Sequence, residues 1–211
     1  MLLLMLSSQI AWSHVVVGEL EKMSKAETAL VYLKLGFQHI LPLGLDHILF
    51  VLSLFLLSPK LKPIVLQSTA FTVAHSITLA LAMYNVVTPP AKIIEPLISL
   101  TILFVALENI LRSKLKPTRV GIVFLFGLIH GLGFASALKE LGLPERSYLV
   151  SLVTFNVGVE LGQLTVILLA FFLVGKWFGD RPFYRKAIVV PASVVIIFIA
   201  TFWTIQRIFI N

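Results

Sequence analysis

Residues 39–57 read His-Ile-Leu-Pro-Leu-Gly-Leu-Asp-His-Ile-Leu-Phe-Val-Leu-Ser-Leu-Phe-Leu-Leu. A helix of about 20 apolar residues crosses the roughly 30 Å hydrocarbon core of a bilayer, and this run has that length while carrying one carboxylate and two imidazoles. Five further apolar runs follow, at 63–83, 91–112, 119–139, 148–174 and 188–208. They are separated by Ser58-Pro59-Lys60, Thr88-Pro89-Pro90, Lys114 to Pro117, Leu143-Pro144 and Gly179 to Pro182, the residues that end helices. The whole chain agrees. Of its 211 residues 58% are hydrophobic and 13% charged, with mean hydropathy +1.00, whereas soluble domains run roughly 45–50% apolar and about 25% charged. The predicted fold is an all-α polytopic membrane bundle of six transmembrane helices, over 39–211.

The absence of cysteine removes thiolate metal sites, disulfides and thiol catalysis, leaving imidazole, carboxylate and amide as ligands. The net charge of +7 does not point to nucleic acid. Its placement matters more, because Lys and Arg accumulate in cytoplasmic connections. The first, third and fifth connections hold Lys60, Lys62, Arg112, Lys114, Lys116, Arg119, Lys176, Arg181, Arg185 and Lys186; the second and fourth hold only Lys92, Lys139 and Arg146. Both termini are therefore expected on the outer side of the inner (cytoplasmic) membrane. Residues 1–13 start with an apolar stretch and end in Ala11-Trp12-Ser13, a weak small-x-small cleavage site, so they read as a signal peptide or a short apolar start. Segment 14–38 is expected outside, with an interfacial amphipathic helix over Gly18 to Phe37 leading into the first span.

An ionisable group at membrane depth costs roughly 2.5–3.5 kcal/mol on insertion scales, so each one is a functional candidate. Four of the five histidines, His39, His47, His75 and His130, fall in or at the mouth of spans one, two and four, and Asp46, Glu108 and Glu160 fall in spans one, three and five. At about 1.5 Å per residue, His47, His75, His130 and Glu160 share one slab near the midplane, with Glu108 nearer the cytoplasm. Asn156, Glu160 and Gln163 follow i, i+4, i+7 spacing and share one face of span five, while Ser68, Thr72, His75 and Thr78 line a face of span two, with Ser76 beside it. In span one, Pro42 and Gly44 weaken the helix between His39 and Asp46, so that freed carbonyls can line a cavity. Imidazoles with carboxylates suit Ni²⁺, Co²⁺, Zn²⁺ or Cu²⁺ better than Ca²⁺ or Mg²⁺. The metal candidates are His47, His75, His130, Asp46 and Glu160, supported by Asn156, Gln163, Glu108, His39 and Ser76. Glu108, four residues before Arg112, also fits a simple ion pair. Gly127-x-x-x-Gly131 and Gly158-x-x-x-Gly162 read as close helix packing.

Five blocks carry a resemblance: Gly44 to Phe50 (GLDHILF), Thr69 to Leu79 (TAFTVAHSITL), Glu108-Asn109, Phe126 to Ala135 (FGLIHGLGFA) and Phe155 to Gln163 (FNVGVELGQ). Together they resemble the HupE/UreJ family of small membrane proteins, in particular its second branch. The resemblance implies a permease-like protein handling nickel or cobalt, associated with maturation of hydrogenase or urease. The family's first-span signature separates a His from Asp-His by five residues; here six lie between His39 and Asp46, which on a continuous helix turns His39 by about 100° from the pair. Asp46 and His47 carry over. A second signature of the nickel permeases, aligned on His130, matches Gly127, His130 and Gly131, and puts Phe126 and Gly133 where those proteins have His and Glu.

The leading reading is a permease or binding protein for a divalent transition-metal cation (Ni, Co or Zn), loaded from outside past Asp46, His39 and His14. A zinc-dependent intramembrane hydrolase acting on lipid, using three imidazoles, a carboxylate and Ser76, is the enzyme alternative. A metal-independent assembly partner, its polar residues only joining helices, is the third. No glycine loop for ATP is present, which argues against primary pumping by this chain.

Overall fold

The structure, a computed structural model, describes residues 23–141 and 147–210; the apolar start at 1–13, its cleavage site and His14 lie outside the described residues. Seven helices account for nearly all of it: α1 Lys25–Ile40, α2 Leu45–Leu57, α3 Leu61–Met83, α4 Ala91–Leu111, α5 Arg119–Leu141, α6 Tyr148–Ala170 and α7 Val190–Phe209. The last two are extended by wider turns, Phe171–Gly175 after α6 and Arg185–Val189 before α7. No strand occurs among the described residues.

Among the described residues four helices are long and apolar enough to cross a membrane: α3, α4, α6 with its extension to Phe178, and α7 from Arg185. A fifth crossing is available if α1 and α2, bent by 66° at their junction, count as one broken span. The apolar part of α5, Arg119–Ala135, is shorter. The first span expected at 39–57 is thus divided, with its helical breaks at Leu41–Gly44 and its first half beginning back at Lys25. Ser24 starts α1 by a reciprocal cap: its Oγ accepts from the Glu27 N–H, and Glu27 accepts from the Ser24 N–H at 2.8 Å.

Instead of lying apart at an interface, α1 packs along α6. Backbone of Leu33 and Gly36 touches Gly158 and Phe155, and Ile40 touches Gly162, so the two helices run parallel. A methyl on Gly36 would lie 1.9 Å from the Phe155 carbonyl oxygen, so only hydrogen side chains allow this approach. In the same manner Gly127 and Gly131 bring α5 against α3 at Phe71 and His75, again parallel. Helices α4 and α7 are antiparallel: Thr204 donates to Ser99 at 2.9 Å and Arg207 to the Glu95 carbonyl at 3.2 Å. Two apolar clusters result. One, around Tyr32, Leu79 and Phe155, joins α1, α3, α5 and α6 with Val51 and Phe55 of α2; the other, around Phe50, Ile102 and Ala200, joins α2, α4 and α7 with Phe71 of α3 and Val123 of α5.

Candidate metal centre

The break between α1 and α2 decides where His39 points. Gly44 sits so close to α1 that a methyl there would lie 2.1 Å from the His39 carbonyl oxygen, so a side chain at this position cannot be accommodated without moving the turn. Folding α2 back by this turn sets His39, the penultimate residue of α1, beside His47 in the first turn of α2, with ring centroids 4.7 Å apart. The extra residue between His39 and Asp46 is therefore absorbed in the break, and His39 is not rotated away from the Asp46-His47 pair as it would be on a continuous helix. His75 of α3 lies 5.9 Å from His47 and 6.2 Å from His39, and His130 of α5 lies 5.0 Å from His47. One nitrogen from each of His39, His47 and His75 falls within 4.8 Å of the other two.

The tautomers of two rings follow from their partners. Asn156 Nδ2 donates to the Leu152 carbonyl, so its Oδ1 is an acceptor, and it meets His75 Nδ1 at 3.2 Å. His75 therefore carries its hydrogen on Nδ1 and presents a bare Nε2. Thr101 Oγ1 donates to the Ile98 carbonyl at 2.6 Å and so accepts from His130 Nε2 at 2.8 Å, leaving His130 Nδ1 bare. These two atoms, with His39 Nε2 and His47 Nε2, are buried and have no hydrogen-bond partner. A buried polar atom left unsatisfied costs about 1–3 kcal/mol, so four approach the whole stability of an ordinary fold, about 5–15 kcal/mol. Neutral imidazoles with outward-held hydrogens and inward lone pairs are what a borderline divalent cation requires. Nitrogens sharing one ion at about 2.0–2.1 Å each lie some 3–4 Å apart; the rings must close by around an ångström on capture.

The chamber connects to a cavity of about 770 Å³, lined among others by His39, Asp46, His47, Glu95, His130 and Arg207. Asp46 lies at its mouth, where Arg207 donates to both carboxylate oxygens at 2.9 and 3.1 Å. The sequence reading did not single out Arg207; its only signal was a lone cation near the end of an apolar helix. Thr101 was missed too, since hydroxyls are common in spans.

The polar stripes expected on spans two and five face one another. Ser68 donates to Gln163, Thr69 and Thr72 donate to Glu160, and His75 meets Asn156. Glu160 lines a second cavity of about 330 Å³ with Thr69, Thr72, Ser76 and Asn156, which none of the imidazoles lines. Ser76 donates to the Thr72 carbonyl. Thr78 points into the α3–α5 contact and not toward the chamber: its Oγ1 would lie 2.3 Å from a methyl on Gly131. Glu108 stands apart, paired with Arg112 at 3.4 Å and with Arg119 at 3.1 Å. Of the predicted residues, then, His39, His47, His75 and His130 converge, Asp46 guards their cavity, Asn156 orients a ring, Glu160 and Gln163 lie along the adjoining seam, and Glu108 belongs to a separate ion cluster.

A family model described as HupE / UreJ protein matches residues 16–207 of the chain. No curated protein and no solved structure matches it.

Proposed function

The chain belongs to the HupE/UreJ family, and from that premise we propose that it is a membrane permease for a divalent transition-metal cation, nickel- or cobalt-like, which is its substrate. His39, His47 and His75 hold the cation in passage, and His130 offers a fourth nitrogen beside them. The observation that carries this reading is the set of four buried imidazole nitrogens without partners around one chamber. Asp46 supplies negative charge at the mouth, and Glu160, one helical turn from Asn156, supplies it behind His75.

The proposed topology is six crossings, counting the α1–α2 pair as one broken span and α5 as another. The packing directions support it: α1 and α6 are parallel, α3 and α5 are parallel, and α4 and α7 are antiparallel. With the basic connections in the cytoplasm, both termini and the cavity mouth lie on the outer side of the inner membrane. A helix broken at membrane depth, with its loose backbone against a cavity, is the arrangement by which transporters expose ligands within the bilayer.

The hydrolase alternative has weaker support. Asp46, which directly precedes His47, is tied to Arg207, and the Ser76 hydroxyl is turned to backbone, so neither of these two groups is presented to the cluster as base or nucleophile. The test is metal analysis and Ni²⁺ or Co²⁺ binding by the purified chain, with uptake into proteoliposomes. His75→Ala is expected to abolish both and His130→Ala to reduce them. Unchanged binding and uptake in the two variants overturns the reading.

A further inference from the structure

Arg207 is tied down on three sides at the cavity mouth. Its Nη2 bridges both oxygens of Asp46, its Nη1 donates to the Glu95 carbonyl at 3.2 Å, and its guanidinium lies over the Trp203 ring at 5.4 Å from the centroid. The partners come from three helices, α2, α4 and α7, and Asp46 directly precedes His47, one of the clustered imidazoles. The pair is partly exposed, 18% for the Arg207 side chain and 27% for that of Asp46.

We propose that Arg207 is a tethered stand-in for the transported ion: it keeps the Asp46 carboxylate neutralised while the chamber is unloaded, and a divalent cation that binds at the imidazoles displaces it and takes its place as the counter-charge of Asp46. This rests on the cation-permease reading above. Asp46 lines a cavity in an apolar bundle, where a charge is stabilised by an opposite one, and Arg207 supplies it. A guanidinium does not lose its proton, so while Asp46 is ionised the pair opens when another cation takes the carboxylate. A divalent ion attracts it with twice the Coulomb energy of a monovalent one at equal distance, and only the divalent ion displaces the pre-organised guanidinium. Arg207 thus selects by charge, beside the selection by ligand chemistry that the imidazoles make. After displacement the guanidinium retains Trp203 as a cation–π partner and Glu95, whose carboxylate belongs to a residue lining the same cavity.

The experiment is equilibrium Ni²⁺ binding to the purified full chain at fixed ionic strength, with excess Na⁺ as competitor. Arg207→Gln is expected to tighten Ni²⁺ about fivefold, and to make binding more sensitive to Na⁺. Arg207→Lys, which keeps the charge and loses the fork, is expected to tighten it by less. In an Asp46→Asn background Arg207→Gln is expected to change nothing. Binding that weakens or stays constant in Arg207→Gln and Arg207→Lys, or that tightens equally in both backgrounds, overturns the inference. If the wild type binds Ni²⁺ and loses it on His75→Ala while the Arg207 variants do not tighten, the permease reading stands and this inference alone falls. If no Ni²⁺ or Co²⁺ binds to the wild type, both fall.

Discussion

Around Glu108 the buried charges meet opposite charges, whereas around His47 four imidazole nitrogens meet no partner at all. The first region ties the ends of α4, α5 and α7 together. Arg119, 1% exposed, pairs with Glu108, and its Nη2 donates to Asn109, which in turn donates to the Ser53 carbonyl of α2. Arg185 donates to the carbonyls of Asn109, Ile110 and Arg112 and so caps the end of α4. The second region holds one nitrogen of His75 and one of His130 by hydrogen bonds and leaves a nitrogen of each of the four rings bare. Both are polar and both lie in an apolar bundle. Near Glu108 the hydrogen bonding is also incomplete, at Glu108 Oε2 and at Arg119 Nε and Nη1, but each charge faces an opposite one; the imidazole nitrogens face no partner of either kind. Charge pairing, more than polarity itself, separates the structural cluster from the binding one.

The largest expected effects reverse the two regions. Glu108→Ala leaves the Arg119 charge buried without its partner, which costs about 3–5 kcal/mol; thermal unfolding should shift accordingly while folded protein keeps wild-type Ni²⁺ affinity. His47→Ala should do the opposite, weakening Ni²⁺ by at least about 100-fold, since one lost ligand exceeds the 10–100-fold of a lost outer partner, with unfolding little changed. If Glu108→Ala abolishes metal binding in protein that is still folded, or His47→Ala unfolds the chain, the contrast is wrong.

Asn156→Leu comes next. It removes the acceptor that fixes the hydrogen of His75 on Nδ1, so the ring is free to turn its N–H into the chamber. Loss of such an outer partner weakens metal affinity about 10–100-fold, and isothermal titration should read that fall without loss of the helical signal. An affinity within twofold of wild type would show that the Asn156 contact serves packing alone.

Much of this was legible in the sequence and some was not, for identifiable reasons. The facing stripes of α3 and α6 follow from helical periodicity, so Ser68, Thr72 and His75 against Asn156, Glu160 and Gln163 could be read directly. Rise per residue put His47, His75 and His130 at one level, and their rings do lie close together. What periodicity cannot supply is direction after a break: His39 was turned away by counting along a helix that stops at Ile40 and starts again at Leu45. The same break hid that Lys25–Ile40 packs along α6. Long-range partners were beyond reach too. Arg207 reaches Asp46 across 161 positions, and Arg119 competes with the nearby Arg112 for Glu108; neither leaves a local pattern.

The smallest expected effect sharpens the role of His130, whose nitrogen lies outside the group of three that converge most closely. Its Nε2–H is held by Thr101, a hydroxyl whose own hydrogen is committed to the Ile98 carbonyl. Thr101→Val keeps the shape and removes the acceptor, at a stability cost of about 1–3 kcal/mol for the donor left buried. The imidazole can recover that cost by moving its hydrogen to Nδ1, but the nitrogen that was bare then becomes a donor and repels a cation. Ni²⁺ affinity should fall a few fold, about 1 kcal/mol or less, with Ni²⁺ raising the unfolding temperature by less than in the wild type. A fall as large as that of His47→Ala would make His130 a full member of the ligand set, and no fall at all would leave it as a wall of the chamber joined to α4.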